Sequence, residues 1–151
     1  MANLIIKPAS ASDDLKLQDG AGTDIVTIDT NKVVYGKGVV EQPVTVTQSG
    51  GTIGIDLSLG NFFQFTLSAA VTTWNFTNLP NPGAASWIIK ITQPSSAVSG
   101  SPIITYPAAV KWAGGTDHEM STANNAVDIV SMFTFNNGTD IYASIVGKAF
   151  A

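Results

Sequence analysis

The chain has 151 residues, a length that suits one domain of ordinary size or one domain with a short appended arm. It contains no cysteine, which excludes a disulfide framework and any thiolate metal site, and its charged fraction of 12% is about half the roughly 25% usual for soluble domains. All seven basic residues are lysine and the net charge is −4, a balance that argues against nucleic acid, whose phosphates call for clustered Lys and Arg.

Met1 to Lys7 runs straight into a strand-like segment with no secretory-type region. Leu4 and Ile6 alternate there with Ile5 and Lys7. Pro8 to Asp14 reads as a loop, after which Leu15 and Leu17 alternate with Lys16 and Gln18. Asp19-Gly20-Ala21-Gly22 predicts a hairpin turn, because glycine takes positive φ at little steric cost. Val26 and Ile28 continue the alternation beyond it. Strands this short, within an arm of about 35 residues, cannot bury a core alone. The arm must pack on the rest of the chain or on neighbouring subunits.

Charge divides the sequence at this point. Residues 1–41 carry four lysines and six acids, whereas the 110 residues that follow carry eight charges in all. Gly36, Gly38 and Pro43 punctuate the change and mark a boundary. The expected organisation is therefore an N-terminal anchoring arm, 1–41, and a β domain, 42–151.

The second part holds the longer strand patterns. Val44 and Val46 alternate with threonines; Ile53, Ile55 and Leu57 share a face; so do Phe63, Phe65 and Leu67. Trp74 and Phe76 are spaced by two, as are Trp87, Ile89 and Ile91. Ile103 to Tyr106, then Val127, Ile129, Phe133 and Phe135, and finally Ile141, Ala143 and Ile145 complete the series. Period-two alternation in β-branched and aromatic residues is the strand signature. Clusters of Gly, Pro, Asn and Ser separate the runs, and Asn137-Gly138 gives the sharpest hairpin signal. Ser121 to Ser131 is the best helical candidate, but its β-branched end leads into a strand. No charge falls between Asp56 and Lys90, yet the asparagines and prolines from Asn61 to Gly83 interrupt the apolar content well short of the ~20 residues a membrane helix needs. The fold class is all-β, and about eight evenly spaced strands suggest a jelly-roll-like sandwich carrying a short β-rich N-terminal arm.

Little in the chain points to catalysis. The only histidine, His118, lies in Asp117-His118-Glu119, and three consecutive residues on an extended chain do not converge on one point. No second His or Cys completes a zinc site. The stretch reads as a solvated loop. The aspartates of the arm sit at turns and strand edges, where Asp caps its own backbone; oxygen ligands alone would suffice for calcium, but no EF-hand spacing supports it. Trp74 and Trp87 lie on apolar strand faces and read as core. Trp112, between Lys111 and Gly114-Gly115, is the candidate exposed or interface aromatic. The chain is read as a non-enzyme, with no catalytic, metal or cofactor-binding residue and no cofactor.

Two stretches carry a resemblance. Asn3-Leu4-Ile5-Ile6-Lys7-Pro8, Leu15-Lys16-Leu17-Gln18-Asp19 and Ile25-Val26-Thr27-Ile28-Asp29 resemble the opening arm of phage virion proteins. Tyr106-Pro107-Ala108-Ala109-Val110-Lys111-Trp112-Ala113-Gly114-Gly115-Thr116, Ala126-Val127-Asp128 and Gly147-Lys148-Ala149-Phe150-Ala151 are similar to the ending of a module found in phage fibre and capsid-decorating proteins. The resemblance implies a trimeric jelly-roll module on the surface of a tailed-phage particle, with no catalysis and no cofactor. Its partners would be sister copies and capsid or other virion proteins, with no nucleic acid and no membrane. Leu4, Ile5, Ile6, Lys7, Leu15 and Leu17 would then anchor the arm by edge-strand pairing on the capsid. Decoration or cementing of the capsid is the first expectation, because no long shaft separates arm from head. A short tail fibre or spike binding a host receptor through Asn78 to Ala84 and Ala113 to Asn125 is the alternative, and a sugar-binding module using Trp112 is the third.

Overall fold

A computed structural model describes residues 15–18, 20–28, 33–96 and 104–150. The chain divides into two compact units, Met1–Val40 and Glu41–Ala151. Regular structure among the described residues is all strand, apart from one 3-10 turn at Ala113–Gly115.

The first unit is an antiparallel meander of β1 (Leu15–Gln18), β2 (Asp24–Ile28) and β3 (Val33–Tyr35), in that spatial order. Leu15 pairs with Ile28 and Leu17 with Val26, and Gly22 takes φ +82 in the connecting turn. Asp24 collects the Lys16 ammonium at 2.7 Å and the Gln18 amide at 2.8 Å. Those two hydrogen bonds hold the Asp24 carboxyl below its ordinary range. No residue of these three strands is fully buried. Three short strands provide too little apolar area for a core of their own. Residues 4–7 of the expected anchor lie outside the described residues; Leu15 is half-buried and Leu17 exposed on β1.

The second unit contains β4 (Val44–Thr45), β5 (Thr52–Asp56), β6 (Phe62–Thr66), β7 (Thr73–Thr77), β8 (Ala85–Thr92), β9 (Val110–Trp112), β10 (Val127–Thr134) and β11 (Ile141–Phe150). Six of them form one sheet in the order β4-β6-β8-β10-β11-β9, while β5 and β7 pair separately. The inward positions of both sheets meet in one core: Ile53 and Ile55 from β5, Phe63 and Phe65 from β6, Trp74 from β7, Trp87, Ile89 and Ile91 from β8, Val130 and Met132 from β10. Rings cross between the layers, with Phe65 edge-on to Trp74 at 6.1 Å and Phe76 tilted on Trp87 at 5.7 Å. Trp74 and Trp87 are buried, as their strand faces suggest.

Pairing is mixed. β4–β6, β6–β8, β11–β9 and β5–β7 are parallel, while β8–β10 and β10–β11 are antiparallel. A jelly roll is built from antiparallel strands. Here successive strands β5, β6, β7 and β8 alternate between the layers, so the parallel pairs β4–β6, β5–β7 and β6–β8 are each joined through a strand of the opposite sheet, whereas β9 and β11 are joined through β10 of their own sheet. That supplies the long crossover that parallel neighbours require.

Three local expectations change. Residues 104–106 make only an isolated bridge, Ile104 to Val71, because Pro107 follows at once and has no N–H to give to a ladder. Residues 121–126 are not helical, and the chain enters β10 at Val127. The connection from β10 to β11 spans six residues, Phe135 to Asp140, rather than a two-residue turn, although Asn137 and Gly138 do take positive φ of 56 and 76. Thr134 replaces the tight turn's hydrogen bonds: its Oγ accepts from the Gly138 N–H at 2.9 Å and donates to the Asp140 carbonyl at 2.8 Å.

Candidate functional site

The densest polar arrangement in the second unit is built on Asp128. Along β10, residues 128, 130, 132 and 134 point inward and each is 0% exposed. A carboxylate at such a position must find donors. It finds four. The Ser121 N–H reaches Oδ2 at 2.7 Å and the Ser121 hydroxyl reaches Oδ1 at 2.5 Å. The Ala149 N–H donates to Oδ1 at 2.9 Å, and His118 Nε2 lies 3.2 Å from Oδ2. Burial pushes the carboxyl up, but the donors from Ser121, Ala149 and His118 outweigh it, and Asp128 titrates below its ordinary value of 3.8.

Local backbone makes this possible. β11 bulges twice against β10, with register breaks on either side of Ile129, and Ala149 sits at φ +56. An alanine in the left-handed region is uncommon, and bulges re-aim backbone groups. Here the bulge turns the Ala149 N–H toward the carboxylate. The Phe150 ring closes over Gly147, where a side chain would collide with it.

The expectation that Asp117-His118-Glu119 forms a solvated loop is corrected for its middle residue. The His118 side chain is 6% exposed, because the loop folds back so that its ring meets Asp128. Asp117 and Glu119 do face solvent. Trp112 is half-buried against the core and does not stand free on the surface. Its ring is edge-on to Tyr106 at 4.9 Å and tilted on His118 at 5.9 Å. Tyr106 in turn stacks on Trp74 at 5.4 Å. An aromatic row thus leads from the core to the Asp128 cluster. Burial first, then the charges of Asp128 and Asp117, push the Tyr106 phenol far above its ordinary value.

The chemistry of the cluster is that of a fastener. Ser121 gives its hydroxyl proton to Asp128, and His118 spends Nε2 on the same carboxylate, so serine and imidazole are each turned toward the acid and no nucleophile–base hydrogen bond joins them. The carboxylate ties the 118–121 loop, β10 and the end of β11 together. No group of three or more His, Cys, Asp or Glu side chains converges among the described residues. Two shallow clefts among the described residues have volumes of ≈ 230 Å³ each, below the roughly 300–1,000 Å³ of small-molecule pockets.

Sequence reasoning missed Asp128. The alternation Val127, Ile129, Phe133 and Phe135 that the sequence suggests falls on the outer side of the strand, and the buried phase is Asp128, Val130, Met132 and Thr134; both phases are apolar, so the pattern does not mark Asp128 as inward. No helix among the described residues is long and apolar enough to cross a membrane. No protein-family model matches the chain, and neither the curated proteins nor the solved structures contain a significant match.

Proposed function

We propose that this chain is a non-enzymatic structural protein of a tailed-phage particle, a capsid decoration or cement protein that works as a homotrimer. The observation that carries the reading is the first unit. Its three-stranded sheet leaves Leu17, Ile28, Val33, Val34 and Tyr35 exposed and buries no strand residue fully. Apolar, short-stranded and with no fully buried strand residue among those described, such a segment gains stability by adding to a partner's surface. The second unit, with its own core and few charges, is the head that such an arm would fasten, a β-sandwich that the jelly-roll-like reading describes at the level of two facing layers. The fastener at Asp128 supports a structural role, since it spends the lone histidine and Ser121 on rigidity.

Localisation tests the proposal. Gold-labelled full-length protein incubated with intact particles is expected to give a regular array over the capsid. Label at the tail alone favours the short fibre or receptor-binding spike, and no label on any particle overturns the virion reading. Val34→Asp, on exposed β3, should reduce capsid labelling at least tenfold without lowering the unfolding midpoint.

A further inference from the structure

An asparagine that precedes glycine is the kind most open to spontaneous loss of its side-chain amide, because glycine leaves its backbone nitrogen uncrowded. The reaction is internal to the chain. The glycine nitrogen gives its proton to solvent base and attacks the asparagine Cγ. The new C–N bond closes a succinimide ring as the bond from Cγ to the amide nitrogen breaks and ammonia leaves. Water then opens the ring at either carbonyl, giving aspartate or isoaspartate. Asn137 is the one asparagine in the sequence followed by glycine.

The loop between β10 and β11 holds this pair against ring closure. Asn137 and Gly138 take φ of 56 and 76 at the centre of a turn in which the Thr139 N–H donates to the Asn136 carbonyl at 3.2 Å. The imide ring requires the Asn137 ψ to swing far from the value such a turn imposes. The attacking atom is also occupied. The Gly138 N–H donates to the Thr134 hydroxyl oxygen at 2.9 Å, and that hydroxyl is fixed in turn by donating to the Asp140 carbonyl at 2.8 Å. Thr134 is fully buried, which keeps the acceptor in place. On another side Leu79 closes on Gly138 so tightly that a Cβ there would collide with its Cδ1. Turn, hydroxyl and leucine thus restrain one peptide unit, while Asn137 itself stays exposed to the water and base that the reaction consumes.

We propose that Asn137 is a deamidation site gated by Thr134: conversion proceeds through an open form of the Phe135 to Asp140 loop in which the Gly138 nitrogen has left the threonine hydroxyl. The inference stands apart from the virion reading. The native rate is the rate of the free dipeptide multiplied by the fraction of time the loop is open. Conversion is a one-way event for the loop. It sets a new carboxylate near Asp140, whose own carboxylate is held by the Asn136 amide at 3.0 Å, and isoaspartate adds a carbon to the main chain of the turn.

Incubation of the full chain in mildly alkaline buffer tests it, with the modified fraction followed by mass spectrometry and assigned to Asn136 or Asn137 by fragmentation. Asn137 of the native protein should convert at least about tenfold more slowly than in the same chain unfolded by denaturant. Thr134→Val keeps the side-chain shape and removes the acceptor, so it should raise the native rate about tenfold, whereas Thr134→Ser should stay near wild type. Unfolding midpoints of the variants separate opening of the loop from loss of the fold. If Thr134→Val does not fold, Leu79→Ala, which frees the other side of Gly138, takes its place with the same expected gain. A native rate equal to that of the unfolded chain overturns the inference. So does a loosened variant that converts no faster than wild type, or a Thr134→Ser rate that matches Thr134→Val.

Discussion

Asp128 shows how one side chain sets the behaviour of a region. Its four donors come from a loop residue, a loop backbone and the far end of the chain's last strand, so the carboxylate is the only atom group common to all three. Asp128→Asn keeps the shape but turns an amide N–H₂ toward existing donors, which should cost about 2–4 kcal/mol in chemical denaturation, as expected for hydrogen bonds to a buried charge. The pH dependence has a definite sign. The folded carboxyl titrates below its unfolded value of 3.8, so its contribution is complete above that pH and is lost as pH falls through the lowered pKa. Unfolding midpoints measured from pH 7 to pH 2 should therefore fall more steeply for wild type than for Asp128→Asn. A parallel pair of curves would show that the carboxylate is not the group being read. From the sequence, Asp117-His118-Glu119 reads as a solvated loop. Adjacency along the chain drew attention to residues that point different ways, whereas the carboxylate that meets His118 lies ten residues on. Period-two alternation sets Asp128 in phase with Val130 and Met132, but Val127, Ile129 and Phe133 form an equally apolar phase, so the buried side of β10 is not legible from the pattern.

At the scale of elements, alternation identified which residues face inward far better than which strands become neighbours. Ile53 and Ile55, Phe63 and Phe65, and Trp87, Ile89 and Ile91 are all core, as their spacing indicates. Nothing in a period of two distinguishes a parallel from an antiparallel partner, so the parallel runs β4–β6–β8 and β5–β7 were not legible. β3 was not recognised either, since Val33, Val34 and Tyr35 are consecutive apolar residues without alternation. The Asn137-Gly138 hairpin was legible in place but not in size: both residues take positive φ, but Thr134 holds a wider loop than the dipeptide suggests. Gly138 carries a second constraint, for a Cβ there would collide with Leu79 Cδ1. Gly138→Ala should destabilise by about 1–2 kcal/mol, lowering the thermal midpoint by about 2–8 °C, with calorimetry as the check. An unchanged midpoint would show that Leu79 and the loop yield freely.

For the molecule as a whole, the contrast between units is one of burial. Native proteolysis reports local opening, and segments without buried side chains open at least cost. Trypsin cuts after lysine and arginine but not before proline, so with Lys7 followed by Pro8 this chain offers it only six sites. Lys16 and Lys37 lie in or beside the first unit's exposed strands, while Lys90 and Lys111 lie within β8 and β9 of the cored unit. Brief digestion of the native protein should accumulate a fragment that begins at Gly38, identifiable by intact mass. Early cuts at Lys90 or Lys111 would mean that the second unit opens as readily as the first.

The alternation of successive strands between two layers has a consequence for assembly. β10 and β11 can zip together as antiparallel neighbours across a six-residue connection, but β8 reaches β10 only across a long connection, and β6 cannot take its place beside β8 until β7 has crossed the core and come back. Each parallel pairing closes a long stretch of chain before it is rewarded, so the loop-closure entropy falls early and the ladder energy late. The C-terminal antiparallel strands are therefore the natural nucleus. The winding of β4 to β7 sets the pace, and the β6 edge stays open to strangers until it is complete.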